Sequence, residues 1–374
     1  MVLKNLRIIS ADRDIPRGYI VVENGKIKQI GEGECPFKDA ISKEGLVAFP
    51  GFIDVHIHGS MGIDFMDAEA KDYKTIADSL YEEGVTTFLA TTLTADKESL
   101  AKVCATVKEV KDSIPSLGGI HFEGPYIAEK YKGAQNPEFI RDPDIAEFKE
   151  LQEISGGNVR YISMAPEKDG ALEFIKEISS TGVVISAGHT NASFDDVAEA
   201  ITVGLTNTTH THNAMSPHHH RNPGVVTAAF YFDELFCEVI CDTVHVCPNT
   251  MKSFLKIVGP DRFVAITDAL KVKHSDIKEF QLFGLDCVTK PDAAYLTSGP
   301  LAGSLLTMDQ GLRNIHDITG ASYVDLAKMT SKNAARCLHM DDRGSLEEGK
   351  LADIVLLDSA LRVKEVYKLG EKVK

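Results

Sequence analysis

Eight short strand candidates, most of them apolar and most closing on a polar residue, constrain this chain more than any other feature. They are Val47–His56, Thr86–Thr91, Gly119–Glu123, Val159–Met164, Val183–Ser186, Asn207–His210, Cys237–Asp242 and Phe263–Asp268. Amphipathic stretches with helical spacing separate them at Lys71–Glu83, Lys97–Ser113, Asp144–Glu153, Leu172–Ser180, Phe194–Val203 and Asn249–Val258. Strands alternating with helices in this way predict the α/β class and a closed parallel (β/α)8 TIM barrel. The rival is an open doubly wound sheet. It usually carries a glycine-rich phosphate loop after an early strand, and none is present here.

The flanks read differently. Residues 3–50 form short extended runs. Tyr19–Glu23 and Lys26–Ile30 bracket Asn24-Gly25, a pair suited to a hairpin turn in which both central residues need positive φ. The end of the chain is extended again at Asp353–Asp358 and Val363–Leu369. We therefore expect both termini, residues 1–50 and 340–374, to build one small β-sandwich-like domain, with the barrel spanning 51–339. Between them lies an excursion at about 270–300, where Phe280–Cys287 and Ala294–Thr297 are expected to pair. Helices should resume at Ser304–His316 and Tyr323–Cys337.

The polar tips carry the chemistry. The first run leads to His56 and His58, whose i, i+2 spacing puts both on one face of a strand. Glu123 ends the third run and His210 the sixth. Asp242 ends the seventh, with His245 beyond it, and Asp268 ends the eighth; His189 follows the fifth. Each alone is more readily structural than functional. Together they would crowd one barrel rim, the C-terminal face where barrel enzymes place their sites. Imidazole and carboxylate are the usual donors to a catalytic divalent ion. A carboxylate beside such an ion can take a proton from water and return it to a leaving group. Asp268 suits that role, with a helix cap as its structural alternative. His218-His219-His220-Arg221 reads equally as a solvated loop or an anion clamp. His274, His316 and His339 lack a metal-like context, and Ser304 reads as a helix cap. No Gly-x-Ser-x-Gly elbow is present.

Charge and cysteines narrow the partners. The chain carries 40 basic and 55 acidic residues, a formal net charge of -15. That disfavours nucleic acid and anionic membranes, and an anionic ligand would need locally placed cations. No run approaches a membrane span. The seven cysteines form no Cys-x-x-Cys, which fits a reduced, cytoplasmic setting better than a disulfide framework.

The segment Pro50-Gly51-Phe52-Ile53-Asp54-Val55-His56-Ile57-His58-Gly59 resembles the opening of the amidohydrolase superfamily. His121-Phe122-Glu123-Gly124-Pro125, Gly188-His189-Thr190, Thr209–Met215, Ile266–Ala269 and Leu301–Ser304 narrow the resemblance to its N-acetylglucosamine-6-phosphate deacetylases, along essentially the whole chain. Gly344–Asp353 fits the superfamily's returning β domain. The resemblance implies that Glu123, His189 and His210 hold the principal metal and that Asp268 is general base, then acid. His56 and His58 would serve a second ion; some members lack this pair. Zinc is the first expectation, with iron, cobalt or manganese as alternatives, at one or two ions per subunit. The implied substrate contacts are Ala134, Gln135, Asn213, Ala214, Arg221, His245, Leu301, Ala302 and Gly303. Arg221 would grip the sugar phosphate, reaching in from the partner of a homodimer. The chain departs from the common pattern at Gln135 (histidine in some members), Thr243 (often glycine) and His212 (often aromatic or apolar). Three alternatives stay open: the galacto epimer, a cyclic amidase or deaminase, and a silent sugar-phosphate binder. The second would use a fourth-strand lysine that Tyr161–Met164 lacks. The third would be expected to have lost the metal ligands or Asp268.

Overall fold

The computed structural model describes residues 1–374. Eight parallel strands form one sheet: β1 (Phe52–Ile57), β2 (Val85–Thr91), β3 (Leu117–Glu123), β4 (Val159–Met164), β5 (Val184–Ala187), β6 (Leu205–Thr208), β7 (Phe236–Ile240) and β8 (Phe263–Ile266). Neighbours in sequence are neighbours in the sheet. The two ends meet through a parallel bridge, Ile57 to Ala269, reinforced by Asp268 N–H donating to the His56 carbonyl at 2.8 Å. This closes the predicted barrel. Most of its strand residues are buried on both faces, which is why strands such as β1, β5 and β8 read as largely apolar runs rather than alternating ones.

Each strand is followed by a helix: Asp72–Tyr81, Lys97–Val110, Ile145–Ile154, Ala171–Ser179, Phe194–Thr202, Val225–Tyr231, Pro248–Val258 and Met308–Thr319. Their starts are written locally. At Phe194, the Ser193 hydroxyl accepts from Asp196 N–H while the Asp196 carboxylate accepts from Ser193 N–H, satisfying two otherwise orphaned donors. The helix Val225–Tyr231 has no counterpart in the sequence-based expectation. At seven residues it is too short to show a periodic face.

The terminal strands make a second sheet, in the order Glu371–Lys372, Val363–Lys368, Ile354–Leu357, Val47–Pro50, Val2–Ile9, Asp14–Glu23, Lys26–Glu32. The predicted hairpin is there: Glu23 pairs with Lys26, and Asn24 and Gly25 have φ of 52° and 74°. The sheet curls until its far strand bridges back, Lys26 to Leu351. Side chains alternate between two cores. Ala48, Ile354, Leu356 and Tyr367 join a small cluster inside the curl, whereas Val47, Phe49, Val355 and Leu357 join the main core shared with the barrel. Period-two alternation thus lets one sheet enclose its own core and dock on the barrel.

Three expectations are corrected. Val47–His56 is two strands, split at Gly51, the first in the terminal sheet and the second in the barrel. A Cβ at Gly51 would lie 2.0 Å from Thr86 Oγ1, so only glycine lets the chain pass here. Phe280–Cys287 does pair with Ala294–Leu296, through Cys287 opposite Leu296, but it is not one strand: it is itself a hairpin turning at Phe283-Gly284, within a four-stranded meander of Glu279–Leu282, Leu285–Thr289, Ala294–Leu296 and Leu301–Gly303. The stretch Tyr323–Cys337 is interrupted by a π turn at Lys328–Lys332.

Candidate active site

Three strands end short of the residues they present. β5, β6 and β8 stop at Ala187, Thr208 and Ile266, and His189, His210 and Asp268 follow two residues later. All three have left-handed backbones, with φ of 48°, 30° and 48°. This conformation costs a non-glycine residue about 1–2 kcal/mol. Such strain persists only where surrounding structure imposes it, and it concentrates at functional sites. Asp268 is held by its neighbours: its N–H donates to the His56 carbonyl, and its carbonyl accepts from Ser304 N–H at 2.9 Å. The Ser304 hydroxyl donates to the Thr267 carbonyl. Ser304 therefore pins this turn and does not cap the helix that begins at Met308.

Glu123, His189 and His210 converge. Glu123 Oε1 lies 3.1 Å from His189 Nε2 and 3.0 Å from His210 Nε2, and the two nitrogens are 3.1 Å apart. The opposite ring nitrogens face backbone carbonyls: His189 Nδ1 is 2.9 Å from Tyr131 O and His210 Nδ1 is 3.2 Å from Asn213 O. A carbonyl only accepts, so both Nδ1 atoms carry the proton. A neutral ring then presents a bare Nε2 lone pair. Two such lone pairs and a carboxylate oxygen point at one place. Protonating both rings would instead set N–H against N–H. A single cation resolves the conflict, and the N, N, O donor set is that of a divalent-metal site.

Beside it lies a second group, His56, His58 and Asp268, whose candidate ligand atoms are all within 4.8 Å of one another. Asp268 Oδ1 is 3.2 Å from His58 Nε2 and 3.5 Å from His56 Nε2. Burial works against the Asp268 carboxylate, but His56 and His58 outweigh it and hold its pKa below the ordinary value. Asp54, at the base of β1, accepts from Thr267 Oγ1 at 2.6 Å and ties β1 to β8 beneath the site.

These groups open into a cleft of about 310 Å³, within the range of small-ligand sites. Ala134, Gln135, Asn213, Ala214, His245, Leu301, Ala302 and Gly303 line it together with His58, Glu123, His189, His210 and Asp268. The Gln135 amide is already engaged, donating to Glu123 Oε2 while its oxygen accepts from Thr94 N–H. His245 Nδ1 meets Asp242 Oδ2 at 2.6 Å. Burial opposes protonation of His245, but Asp242 outweighs it and raises its pKa. Arg221 stands apart from this cleft in an exposed loop, with Nη1 2.8 Å from His220 Nε2. His212 also lies elsewhere, edge-on to Phe254, with its pKa pushed down to about 4 by burial. His274 sits 3.7 Å from Glu83, His316 bonds the Ala321 carbonyl, and neither these nor His339 reaches the cleft.

Two charged residues escaped the sequence reading. Lys130 is the only lysine or arginine lining the cleft; nothing in its loop sequence marks it. Glu238 is buried in β7 and accepts from His56 Nδ1. Its signal was legible: it is the one charge within the run Phe236–Ile240.

The comparisons agree with this geometry. The amidohydrolase family model matches residues 47–373. An N-acetylglucosamine-6-phosphate deacetylase of Lysinibacillus sphaericus is 34% identical, covering 99% of this chain and 97% of the relative. An N-acetylgalactosamine-6-phosphate deacetylase of Escherichia coli O157:H7 is also 34% identical, over 86% of both chains. A mutant N-acetyl-D-glucosamine-6-phosphate deacetylase of Mycobacterium smegmatis, solved in complex with N-acetyl-D-glucosamine-6-phosphate, superposes with a TM-score of 0.95 at 31% identity, covering 100% of this chain and 99% of that one. By sequence along its whole length, and by the barrel that carries its rim of histidines and carboxylates, this chain belongs to the amidohydrolase family, among its N-acetylhexosamine-6-phosphate deacetylases.

Proposed function

We propose that this chain hydrolyses the acetamide of N-acetylglucosamine 6-phosphate, giving glucosamine 6-phosphate and acetate, a step of amino-sugar catabolism. The observation that carries the reading is the convergence of Glu123, His189 and His210 beside Asp268 in a ligand-sized cleft. Glu123, His189 and His210 would hold a divalent ion, zinc first, which supplies a Lewis acid to polarise the carbonyl and acidify water. His56 and His58, with Asp268, are placed for a second.

The residues of the chain do the rest. Asp268 keeps Oδ1 turned to His56 and His58, which leaves Oδ2 to take a proton from the attacking water. A C–O bond forms at the acetyl carbon, and the C–N bond then breaks as Asp268 returns the proton to the departing amine. Gln135 steadies Glu123 through its amide. His245, whose pKa Asp242 raises, is placed as a second substrate contact, near the acetyl oxygen or the phosphate. Asn213 and Ala214 meet the sugar, and Leu301, Ala302 and Gly303 border it. Gly303 packs so closely on Leu270 that a Cβ there would lie 2.8 Å from it.

A single chain offers the phosphate few cations, which supports a homodimer in which Arg221 reaches the partner's cleft. All seven cysteines are free, which supports a reducing, cytoplasmic setting. No helix is long and apolar enough to cross a membrane. The test is acetate release from N-acetylglucosamine 6-phosphate, its galacto epimer and unphosphorylated N-acetylglucosamine, before and after chelation and metal restoration. Turnover that needs both phosphate and metal, and prefers the gluco epimer, is the expected result. Preference for the galacto epimer moves the assignment to that sugar. Activity indifferent to phosphate discards the sugar-phosphate specificity.

A further inference from the structure

Glu238 is wholly buried in β7 and has no lysine or arginine partner; its only ion pair is with His56. One oxygen, Oε2, serves both metal-type clusters. It lies 3.1 Å from His56 Nδ1 and accepts from the His210 backbone N–H at 3.2 Å. The other, Oε1, meets no cation; the buried Tyr161 hydroxyl is the carboxylate's remaining polar neighbour. A carboxylate so enclosed, with His56 as its one charge partner, is costly to fold, and both contacts of Oε2 concern the rim.

We propose that Glu238 is the positioning residue that makes His56, His58 and Asp268 a second cation site and couples its filling to the first. Its charge keeps the His56 proton on Nδ1. Nε2, from which a cation would displace the proton, faces the space shared with Glu123 Oε1 at 3.2 Å and Asp268 Oδ1 at 3.5 Å. The opposite tautomer would put an imidazole lone pair against Glu238. A carboxylate behind an imidazole also makes it a stronger donor to a cation. Through the same oxygen Glu238 grips the backbone of His210, a donor of the first cluster in a left-handed turn. Movement of His56 toward an ion is thereby felt at the other cluster. The inference rests on the rim being a metal site and is independent of which sugar is hydrolysed.

The test is ion binding rather than turnover. Metal-stripped wild type, Glu238→Gln and Glu238→Asp are titrated with Zn2+ against a competing chelator, and bound zinc per chain is measured. Nitrogen NMR of the histidine rings reports the His56 tautomer. Wild type should bind two ions and Glu238→Gln one, its second site weakened about 10–100-fold. The His56 tautomer should become mixed, and Glu238→Asp, which keeps the charge, should recover part of the lost affinity. If the glutamine variant does not fold, the aspartate variant still reads intermediate second-site affinity. In a His56→Gln background, Glu238→Gln should change nothing further. A wild type that binds one ion, a glutamine variant that keeps both at wild-type affinity, or equal weakening of both sites overturns the proposal. Each of those results is compatible with deacetylation on one ion, so this inference can fail while the proposed function stands.

Discussion

In the terminal sheet, Lys368 and Asp353 are both buried, and the ammonium meets the carboxylate at 2.7 Å while Leu369 N–H fills its other oxygen at 3.0 Å. At the barrel rim, Glu123, Asp268 and Glu238 are buried too, yet their charge partners are histidines alone. The first arrangement is complete within the chain and needs nothing from outside. The second leaves lone pairs opposed and buried polar atoms without partners. Buried charge that is matched locally marks a structural element, and buried charge that is left unmatched marks a place where a ligand completes the structure.

Substitutions can break that contrast or sharpen it. Asp268→Asn should lower kcat by about 100–10,000-fold, as expected for loss of a general base and acid, while calorimetry still detects substrate binding. Lys368→Met should cost about 3–5 kcal/mol in a denaturant titration, because Asp353 is left buried and unpaired; kcat/KM should not change. A stable Lys368→Met would mean the terminal pair is no better matched than the rim. Arg221→Ala should raise KM for the phosphorylated substrate by about 10–100-fold, the range of a charged hydrogen bond, and leave the unphosphorylated sugar unaffected. The smallest effect belongs to Thr243, a β-branched residue held at a φ of 71°. Thr243→Gly should add about 0.5–1 kcal/mol, the relief of a left-handed strain offset by glycine's greater chain entropy.

The rim was more legible in the sequence than its supports. Strand ends in a barrel share one face, so His56, His58, Glu123, His189, His210, Asp242, His245 and Asp268 group on one rim once the strand–helix alternation is seen, while the division into ligands and base came only with the family resemblance. The left-handed backbones of His189, His210 and Asp268 could not be read, since neither histidine nor aspartate is an obligate residue there. Gly51 hid the junction between sheet and barrel, because Val47–Pro50 and Phe52–Ile57 are both buried and extended and merge into one apolar run. The hairpin at Phe283-Gly284 was missed because Phe283 takes φ 43° without a turn residue's chemistry. Arg221 was singled out only by the family resemblance, and the folded monomer holds it away from the cleft. Glu238 was overlooked because an apolar run draws attention to its tip and not to a lone charge within it.

The claim that the rim is built for a cation is tested most directly by calorimetry on the metal-stripped protein, with thermal unfolding recorded before and after adding Zn2+. The account predicts saturable binding at the rim and, at about 100 times Kd, a gain of about 2.7 kcal/mol in stability per site. Removal of His189 and His210 together should abolish the binding at the first site. Absence of binding, with an unchanged unfolding transition in the intact protein, would contradict the account.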